Sequence, residues 1–499
     1  MKKGIGVLKN IFASMLPQIV NIITNLIVPA LIIGLYGSKI NGLISTSKNI
    51  ISYISLVGAG LATAVTQQLY APVAKNDDET VKGMLNSASK MFFRCGVIFC
   101  IILVVVAFIY PFFIDRDINF ITVSLLLIVM GLSGASEFFV VGRCRALLYA
   151  NQKVYICTII QAISLIISLV LSIIMLKLET SIILVQLSIS LVYVSRAVFL
   201  QLYVSKKYPQ YKNYKSSQPI NSAVSKKNDA MIHQLTGLAV MGSQSIILTS
   251  FVGLEAASIY AVYNIVFAGI TSICSNINTA ITPFLGRGAA IDSIESLTYK
   301  YDLTELFFNI ITTFVFSVAA IMLIPFISLY TRGADIDYIS KSFAVLFVIV
   351  FSFHVIRLPS TSLINVVGHF KETKWRAILE AIICVVVSIV ATLLVGKNGV
   401  LIGTGVALSW RALDMIIYSN KNILKRSSLK SILRLIRAIV IVVICCLISL
   451  KINLATSSYL EWVLYAGVVS VFVLLTTIVE TVIFEFKIFK TFIKKFVKN

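Results

Sequence analysis

The sequence predicts an all-α polytopic membrane protein of about 14 transmembrane helices, and two observations carry that prediction. Hydrophobic residues occupy 58% of the 499 positions and charged residues only 13%, and the mean hydropathy is +0.94. A soluble chain of this length exposes far more charged surface. Apolar runs of about 20 residues recur from end to end, each long enough to cross a hydrocarbon core about 30 Å thick. The runs are continuous rather than alternating, which excludes a transmembrane β-barrel.

The apolar runs predict the spans in order, each separated from the next by a polar loop. They lie at 11–33, 40–69, 88–114, 120–149, 154–177, 181–204, 230–252, 258–285, 303–330, 338–366, 375–395, 399–418, 433–452 and 459–485. Lysine and arginine concentrate in alternate loops, so the positive-inside rule places both termini in the cytoplasm. This distribution accounts for the net charge of +22, because the basic residues form no aromatic-interleaved patch of the kind that binds nucleic acid.

Two polar connections predict the domain organisation. The longest follows the sixth span and is rich in Lys, Ser and Asn, and a second, basic loop follows the twelfth span. We therefore expect an N-terminal six-helix lobe at 1–204 and a cytoplasmic linker at 205–229. A C-terminal six-helix lobe at 230–418 follows, and 419–499 holds the basic loop, two extra helices and a cytoplasmic tail.

A weak internal repeat supports this division. The stretch "GLYGSKINGLISTSKNIISYIS" from Gly34 aligns with "GLEAASIYAVYNIVFAGITSIC" from Gly253, a displacement of 219 residues, and the same displacement sets Gln161 against Glu380. Because each half holds an even number of spans, both halves insert in the same orientation. The sequence thus predicts a parallel pseudo-repeat, an arrangement in which transporters place a site between two lobes.

Spans two and eight are unusually polar for helices at bilayer depth. Spacings of three and four residues place five polar side chains of span two on one face: Asn41, Ser45, Lys48, Ser52 and Ser55. Span eight carries a comparable stripe: Asn264, Thr271, Ser275, Asn278 and Thr282. The stripes either line an aqueous cavity between the lobes or pack against neighbouring helices through small residues and hydroxyl groups. Lys48 favours the cavity, although its position in the outer third of the bilayer also allows snorkelling.

Three further cationic residues lie inside apolar spans, where a charge near the midplane costs at least about 2.5–3.5 kcal/mol on insertion scales. Arg196 and Arg357 have no acidic partner on their own helices, which makes them candidate substrate-binding residues. Arg411 lies three residues before Asp414 on span twelve, so these two charges can neutralise each other. With Lys48, this cationic set suits an anionic substrate, because arginine binds phosphate in bidentate fashion.

The acidic residues and histidine of the spans are candidates for energy coupling. These candidates are Glu137 on span four, His354 on span ten and Asp414 on span twelve. His354 is alternatively a hydrogen-bonded packing histidine rather than a proton carrier. Glu380 lies one turn after Arg376, and we expect those two to form a structural pair.

Catalytic motifs are missing from the sequence. It contains no Walker A, GxSxG or HExxH pattern, and no acidic loop cluster that could hold a divalent metal for glycosyl transfer. We therefore expect a protein that is not an enzyme and that uses no cofactor or metal.

The first helical hairpin resembles a known family. Residues 16–77, "LPQIVNIITNLIVPALIIGLYGSKINGLISTSKNIISYISLVGAGLATAVTQQLYAPVAKND", contain a G-x-x-x-N-G-L turn, a Y-I-S-L start of a glycine-containing half-helix and an L-Y-x-P-x-A close. These features, with the six-plus-six-plus-two layout, resemble the Wzx-type oligosaccharide (O-antigen or capsule repeat unit) flippases. That family belongs to the multidrug/oligosaccharidyl-lipid/polysaccharide exporter superfamily, together with multidrug extruders and MurJ lipid II flippases.

The resemblance implies a flippase of the bacterial cell membrane. Two lobes would enclose a cationic cavity for the head of an undecaprenyl-diphosphate-linked oligosaccharide repeat unit. Alternating access would carry that head to the outer leaflet for surface polysaccharide biosynthesis. The lipid tail would stay in the bilayer, and the implied partners are this lipid-linked oligosaccharide, membrane lipids, a coupling ion (proton or sodium) and a glycan polymerase. MurJ-like proteins place essential arginines in spans one, two and eight, whereas this sequence offers only Lys48 in span two, which argues against lipid II itself.

Three alternatives stay open at this point. A cation-coupled multidrug extruder of the same superfamily would have twelve spans, with Glu137 or Asp414 as its coupling acid. A membrane-embedded glycan polymerase or ligase would need a large extracytoplasmic loop, whereas the loops on that side are short. A non-transporting scaffold is the third alternative.

Overall fold

A computed structural model describes residues 2–58, 61–114, 118–151, 153–211, 228–291, 293–451, 454 and 456–497. Sixteen α-helices and no β-strand occur in this described part of the chain. The helices are α1 (Lys2–Ile54), α2 (Leu61–Ala74), α3 (Asp78–Ile109), α4 (Phe120–Ser136), α5 (Gly142–Ala150), α6 (Val154–Lys177), α7 (Ile182–Lys207), α8 (Asn228–Phe251), α9 (Leu254–Ile291), α10 (Ile294–Tyr330), α11 (Lys341–Ile356), α12 (Leu358–Val367), α13 (Phe370–Val395), α14 (Gly399–Tyr418), α15 (Leu429–Lys451) and α16 (Tyr459–Val497).

The helices form a polytopic membrane fold, as the composition predicts. Among the described residues, eleven helical segments are long and apolar enough to cross a bilayer, and Leu235–Phe251 is a shorter apolar helix. Two of the eleven hold two crossings each. Leu16–Gly58 turns at Gly37, and Phe370–Ile423 turns at Gly396 between α13 and α14. The predicted fold class is therefore confirmed, and the described part of the chain provides the expected fourteen crossings.

Two turns between consecutive spans depend on glycine. Gly37 has φ of 82° inside α1, and Gly253 has φ of 122° between α8 and α9. A side chain would strain both backbones, because only glycine visits positive φ readily. Gly37 and Gly253 are thus the two glycines with positive φ at equivalent turns. The sequence alignment pairs Gly253 with Gly34, three residues earlier.

The chain divides into two compact units. The first comprises Met1–Leu238 and Gly253–Ser258. Within it α1 packs against α6, α4 packs against α7, and α2 packs against α5. One widened π-type turn, Glu137–Val141, joins α4 to α5, so these two helices form one interrupted span. Residues 212–227 of the predicted linker lie outside the described residues.

The second unit comprises Ala239–Val252 and Ile259–Asn499. Its most extensive helix pair is α13 with α14, and α15 and α16 both pack on α10. An aromatic cluster forms part of the core between α9, α10 and α11; its members are Tyr260, Tyr263, Phe267, Phe316, Phe343, Phe347 and Phe351. The predicted tenth span is interrupted at Arg357, because Pro359 in the first turn of α12 has no N–H to continue the α11 ladder.

Candidate functional site

The polar stripe of α1 changes from buried to open along its length. Asn41 is buried, and its amide donates to the Ser258 hydroxyl over 2.8 Å. Ser45 is half-buried, whereas Lys48 and Ser52 are exposed. Ser55 donates back to the Ile51 carbonyl of its own helix at 2.8 Å. The open part of the stripe is therefore the segment from Ser45 to Ser52.

Lys48 is the charged residue of this open segment. It makes no hydrogen bond or ion pair with any residue in the part of the chain that the structure describes. The residues on either side of it in sequence include the buried Thr46, Ser47 and Ile50, so the helix itself is packed while this one face is open. An unpaired ammonium facing hydrocarbon would be costly, which favours water or a polar ligand beside Lys48.

The stripe of α9 is uncharged, and most of it is internally bonded. The Thr271 hydroxyl donates to the Phe267 carbonyl at 2.8 Å. The Ser362 hydroxyl donates to the Asn278 amide oxygen at 2.9 Å. The same hydroxyl lies 3.0 Å from the Thr282 hydroxyl. Asn264 differs, because this half-buried amide has no hydrogen-bond partner among the described residues. The end of this stripe at Asn278 and Thr282 is therefore packed against a neighbouring helix. Asn264 instead fits the alternative in which the stripe lines an aqueous cavity.

A buried ionic network, which we call the α13/α14 network, joins five charged residues of the second unit. Arg357 donates to Glu380, and the other Glu380 oxygen lies 3.2 Å from Arg411 Nε. Arg411 Nη1 donates to Asp414 at 2.7 Å, as its spacing predicts, and Arg376 donates to the other Asp414 oxygen. The Arg411 side chain is 1% exposed. Three arginines thus surround two carboxylates, which leaves one net positive charge.

The ion pairs of Arg357 and Arg376 depend on more than one helix. Arg357 has no acidic partner on its own helix, and Glu380 on α13, 23 residues away, supplies one. Arg376 and Glu380 were expected to pair with each other, and this expectation is wrong. Arg376 instead contacts Asp414 on α14, and Glu380 contacts Arg357 and Arg411. Reasoning within one helix misses these pairs, because the acid and the base come from different helices.

His354 lies at the edge of the α13/α14 network. Its Nδ1 is 3.4 Å from Arg357 Nη2, and the ring is half-buried. A neutral imidazole can accept from the guanidinium there, whereas a protonated ring would face a like charge. Its predicted coupling role stays a prediction, and the geometry also fits the packing interpretation.

The first unit holds a smaller ionic cluster around the widened turn. Arg145 Nη1 lies 2.7 Å from Glu137 Oε1, and Arg196 Nη2 donates to Glu137 Oε2 at 3.1 Å. Arg196 also lies over the Tyr193 ring, 5.2 Å from its centroid. Arg196 is therefore paired with an acid from outside its own helix, and Glu137 contacts two arginines.

A third network, which we call the α10/α15/α16 network, was missed by sequence reasoning. Arg434, 1% exposed, donates to Glu305 at 2.6 Å and to both oxygens of Glu485 at 2.8 and 2.9 Å. Its other members are Asp302, Arg426, Lys430, Arg437 and Glu480. The available signal was an acidic residue, Glu305, just inside an apolar run that offers it no base. This network fastens the last two helices to α10.

No group of three or more His, Cys, Asp or Glu side chains that could hold a metal ion occurs among the described residues.

Comparison with known proteins gives a shared fold. No protein-family profile matches the chain, and no curated protein sequence is significantly similar to it. An inward-facing multidrug-resistance MATE family transporter of the MOP superfamily superposes with a TM-score of 0.65 at 12% identity, covering 84% of this chain and 98% of its own. The lipid II flippase MurJ, in an inward closed conformation, gives 0.64 at 14% identity and covers 96% and 99%. A mutant of the Vibrio cholerae MATE transporter VcmN gives 0.60 at 14%, covering 85% and 97%.

Proposed function

We propose that this protein is a flippase that moves a polyprenyl-diphosphate-linked oligosaccharide across the membrane by alternating access, without covalent chemistry. The observation that carries the proposal is the extent of the structural match. The MurJ flippase covers 96% of this chain, whereas the two MATE transporters cover 84% and 85%. The difference is about the size of the two helices by which a flippase layout exceeds a twelve-span transporter.

The open segment of α1 supports an anionic headgroup as the cargo. Lys48 is exposed and unpaired among the described residues, and it is flanked on the same face by the Ser45 and Ser52 hydroxyl groups. An ammonium with adjacent hydroxyls can bind a diphosphate oxygen and a sugar hydroxyl together, and the low dielectric of a membrane strengthens the ionic contact. Lys48 is thus the residue to which we assign the diphosphate, with the Ser45 and Ser52 hydroxyl groups as candidate sugar contacts.

The buried arginines have a different assignment in this proposal. Arg196, Arg357 and Arg411 are each held by carboxylates, so a substrate phosphate would have to displace an existing partner. We therefore place them as supports of the lobes rather than as direct contacts.

A multidrug extruder is the alternative function, and the structural match to MATE transporters supports it. Its candidate coupling acids are Glu137 and Asp414, and each contacts two arginines. Both carboxylates are therefore occupied by arginine side chains rather than open to a coupling cation. This argues against the extruder, whereas a flippase places no such demand on these two residues.

The decisive experiment measures the lipid-linked glycan pool in a deletion strain. Polyprenyl-diphosphate lipids would be extracted and compared by mass spectrometry with those of the parent strain. A flippase predicts accumulation of a complete repeat unit and loss of surface polymer, restored by the wild-type gene but not by Lys48→Ala. An unchanged lipid pool together with altered drug susceptibility would reject the flippase and favour the extruder.

A further inference from the structure

The first unit contains a cavity that lies apart from the Lys48 segment. It has a volume of about 200 Å³, well above the space that one ordered water needs. Helices α3, α5 and α7 and the turn after α7 form its walls: Leu85, Arg143, Cys144, Leu147, Gln201, Val204, Ser205, Tyr208 and Tyr211. These elements meet where α3 begins and α7 ends, the side that the basic loops assign to the cytoplasm.

The turn after α7 closes one wall of the cavity. The Tyr208 and Tyr211 rings stack with centroids 6.2 Å apart, and the Tyr211 hydroxyl donates to Asp78 at 2.7 Å. Burial and this bond to Asp78 raise the pKa of Tyr211 to about 12, so the phenol stays neutral at physiological pH. The wall is therefore fixed to the first turn of α3 and is not a loose loop end.

The polar groups of the cavity are arranged around a cation. Arg143 donates to the Gln201 amide oxygen and, at 3.4 Å, to the Ser89 hydroxyl. Both of these acceptors are uncharged side chains, and they orient the guanidinium in the cavity wall. The Gln201 amide nitrogen donates to the Ser205 hydroxyl at 3.2 Å. A guanidinium, an amide and a hydroxyl in one wall are the donors that phosphate oxygens require.

A second observation points to a missing ligand. Tyr208 is only 7% exposed, and its hydroxyl is buried without a hydrogen-bond partner among the described residues. Buried polar groups in folded proteins are nearly always bonded, and the exceptions mark an absent partner or a strained site. Lys153 lies over the same ring, 5.3 Å from its centroid, and adds a second positive charge beside this wall.

We propose that this cavity binds a phosphate-bearing headgroup, with Arg143 as the principal contact and the Gln201, Ser205 and Tyr208 side chains as its polar surroundings. Two possible sources share this chemistry, an acidic phospholipid of the cytoplasmic leaflet and a soluble phosphate ester. The surroundings favour the lipid. The cavity lies where α3 begins and α7 ends, at the level of the anionic headgroups of that leaflet.

The test is native mass spectrometry of the full chain in detergent, with phosphatidylglycerol, phosphatidylcholine and sn-glycerol 3-phosphate as separate probes. We expect one tightly held phosphatidylglycerol, and about tenfold weaker binding after Arg143→Gln, the loss of one charged contact. Gln201→Glu should abolish binding, since the new carboxylate pairs with Arg143 while keeping the shape and the fold. The matched control is Arg94→Gln, an exposed arginine of α3 outside the cavity, which should bind as wild type does.

The outcomes separate the possibilities. Equal binding of phosphatidylglycerol and phosphatidylcholine, or an equal loss with Arg94→Gln and Arg143→Gln, would overturn the proposal, because the lipid would then be held only by the general surface. Competition by glycerol phosphate at the affinity of phosphatidylglycerol would support the phosphate site and assign it to a soluble ester. Unchanged binding by Gln201→Glu would overturn it even if Arg143→Gln failed to fold. The flippase proposal is independent of each result.

Discussion

Lys48 and Arg434 are both cations on helices of a membrane protein, and their surroundings are opposite. Arg434 is 1% exposed and contacts Asp302, Glu305 and Glu485. Lys48 is exposed and contacts no carboxylate among the described residues. A buried cation with partners contributes to holding helices together, because removing it strands the charges around it. An open cation without partners contributes little to the fold and is available to a ligand.

The largest expected effect is on stability, at Arg434. Arg434→Ala should lower the free energy of unfolding by about 3–5 kcal/mol, because Glu305 and Glu485 stay buried without this cation. Thermal unfolding in detergent measures the change. Arg437→Ala, one turn later and 22% exposed, is the matched control and should cost clearly less. Combining Arg434→Met with Glu305→Gln and Glu485→Gln should recover most of the loss, and failure to recover would show that the ionic contacts are not its cause.

A smaller loss is expected at Arg411. Each of its two acids keeps another arginine, Arg357 for Glu380 and Arg376 for Asp414, so Arg411→Ala should cost about 2–3 kcal/mol. A double-mutant cycle with Asp414→Asn isolates the pair. We expect a coupling of about 0.5–3 kcal/mol for residues in direct contact. Strictly additive effects would mean that the pair adds nothing to the stability of the α13/α14 network.

Lys48 should behave in the opposite way. Lys48→Ala should change the free energy of unfolding by less than about 0.5 kcal/mol, the usual range for an exposed residue without partners. Polymer export in cells should nevertheless fall, and Lys48→Arg should retain more export than Lys48→Ala because it keeps the charge. A large loss of stability with Lys48→Ala would show that Lys48, like Arg434, stabilises the fold. It would contradict the claim that Lys48 is available to a ligand.

The smallest effect belongs to an exposed charge at a helix terminus. Asp77 precedes α3 and accepts from the Thr80 hydroxyl and backbone N–H at 2.6 and 3.1 Å, and these bonds lower its pKa. Its contribution is therefore present above the unfolded pKa of about 3.9 and lost as the pH falls through the lower folded pKa. Amide exchange at the start of α3 should increase in that acidic range, and Asp77→Ala should show the faster exchange already at neutral pH.

Much of the fold follows from the sequence, because the length and apolarity of each span are local properties. The bilayer requires helices wherever such runs occur, and the fourteen crossings were predicted for that reason. The sequence places the first turn between the spans at 11–33 and 40–69, and the backbone shows that Gly37 rather than Gly34 is the residue with positive φ. The interruption at Arg357 follows from Pro359, which cannot donate a backbone hydrogen bond to the α11 ladder.

The ionic partners were less predictable, for a physical reason. Arg411 and Asp414 share one helix, so their spacing of three residues fixes their contact. Arg434 and Glu305 are 129 residues apart, and their contact depends on how α10 and α15 pack. Helix packing is decided by many small side-chain contacts rather than by a local pattern. The sequence therefore identifies which charges need a partner, but it does not identify the partner.

A reconstituted flipping assay measures the proposed function directly. Purified protein would be placed in liposomes with a polyprenyl-diphosphate oligosaccharide, and the fraction of headgroups accessible to an added glycosidase would be followed with time. We predict protein-dependent translocation by the wild type, a strong reduction with Lys48→Ala, and near-normal rates with Thr271→Val, whose hydroxyl bonds only its own helix. Translocation by Lys48→Ala at the wild-type rate would contradict the assignment of Lys48, and no translocation by the wild type while it exports cationic drugs would contradict the proposed function.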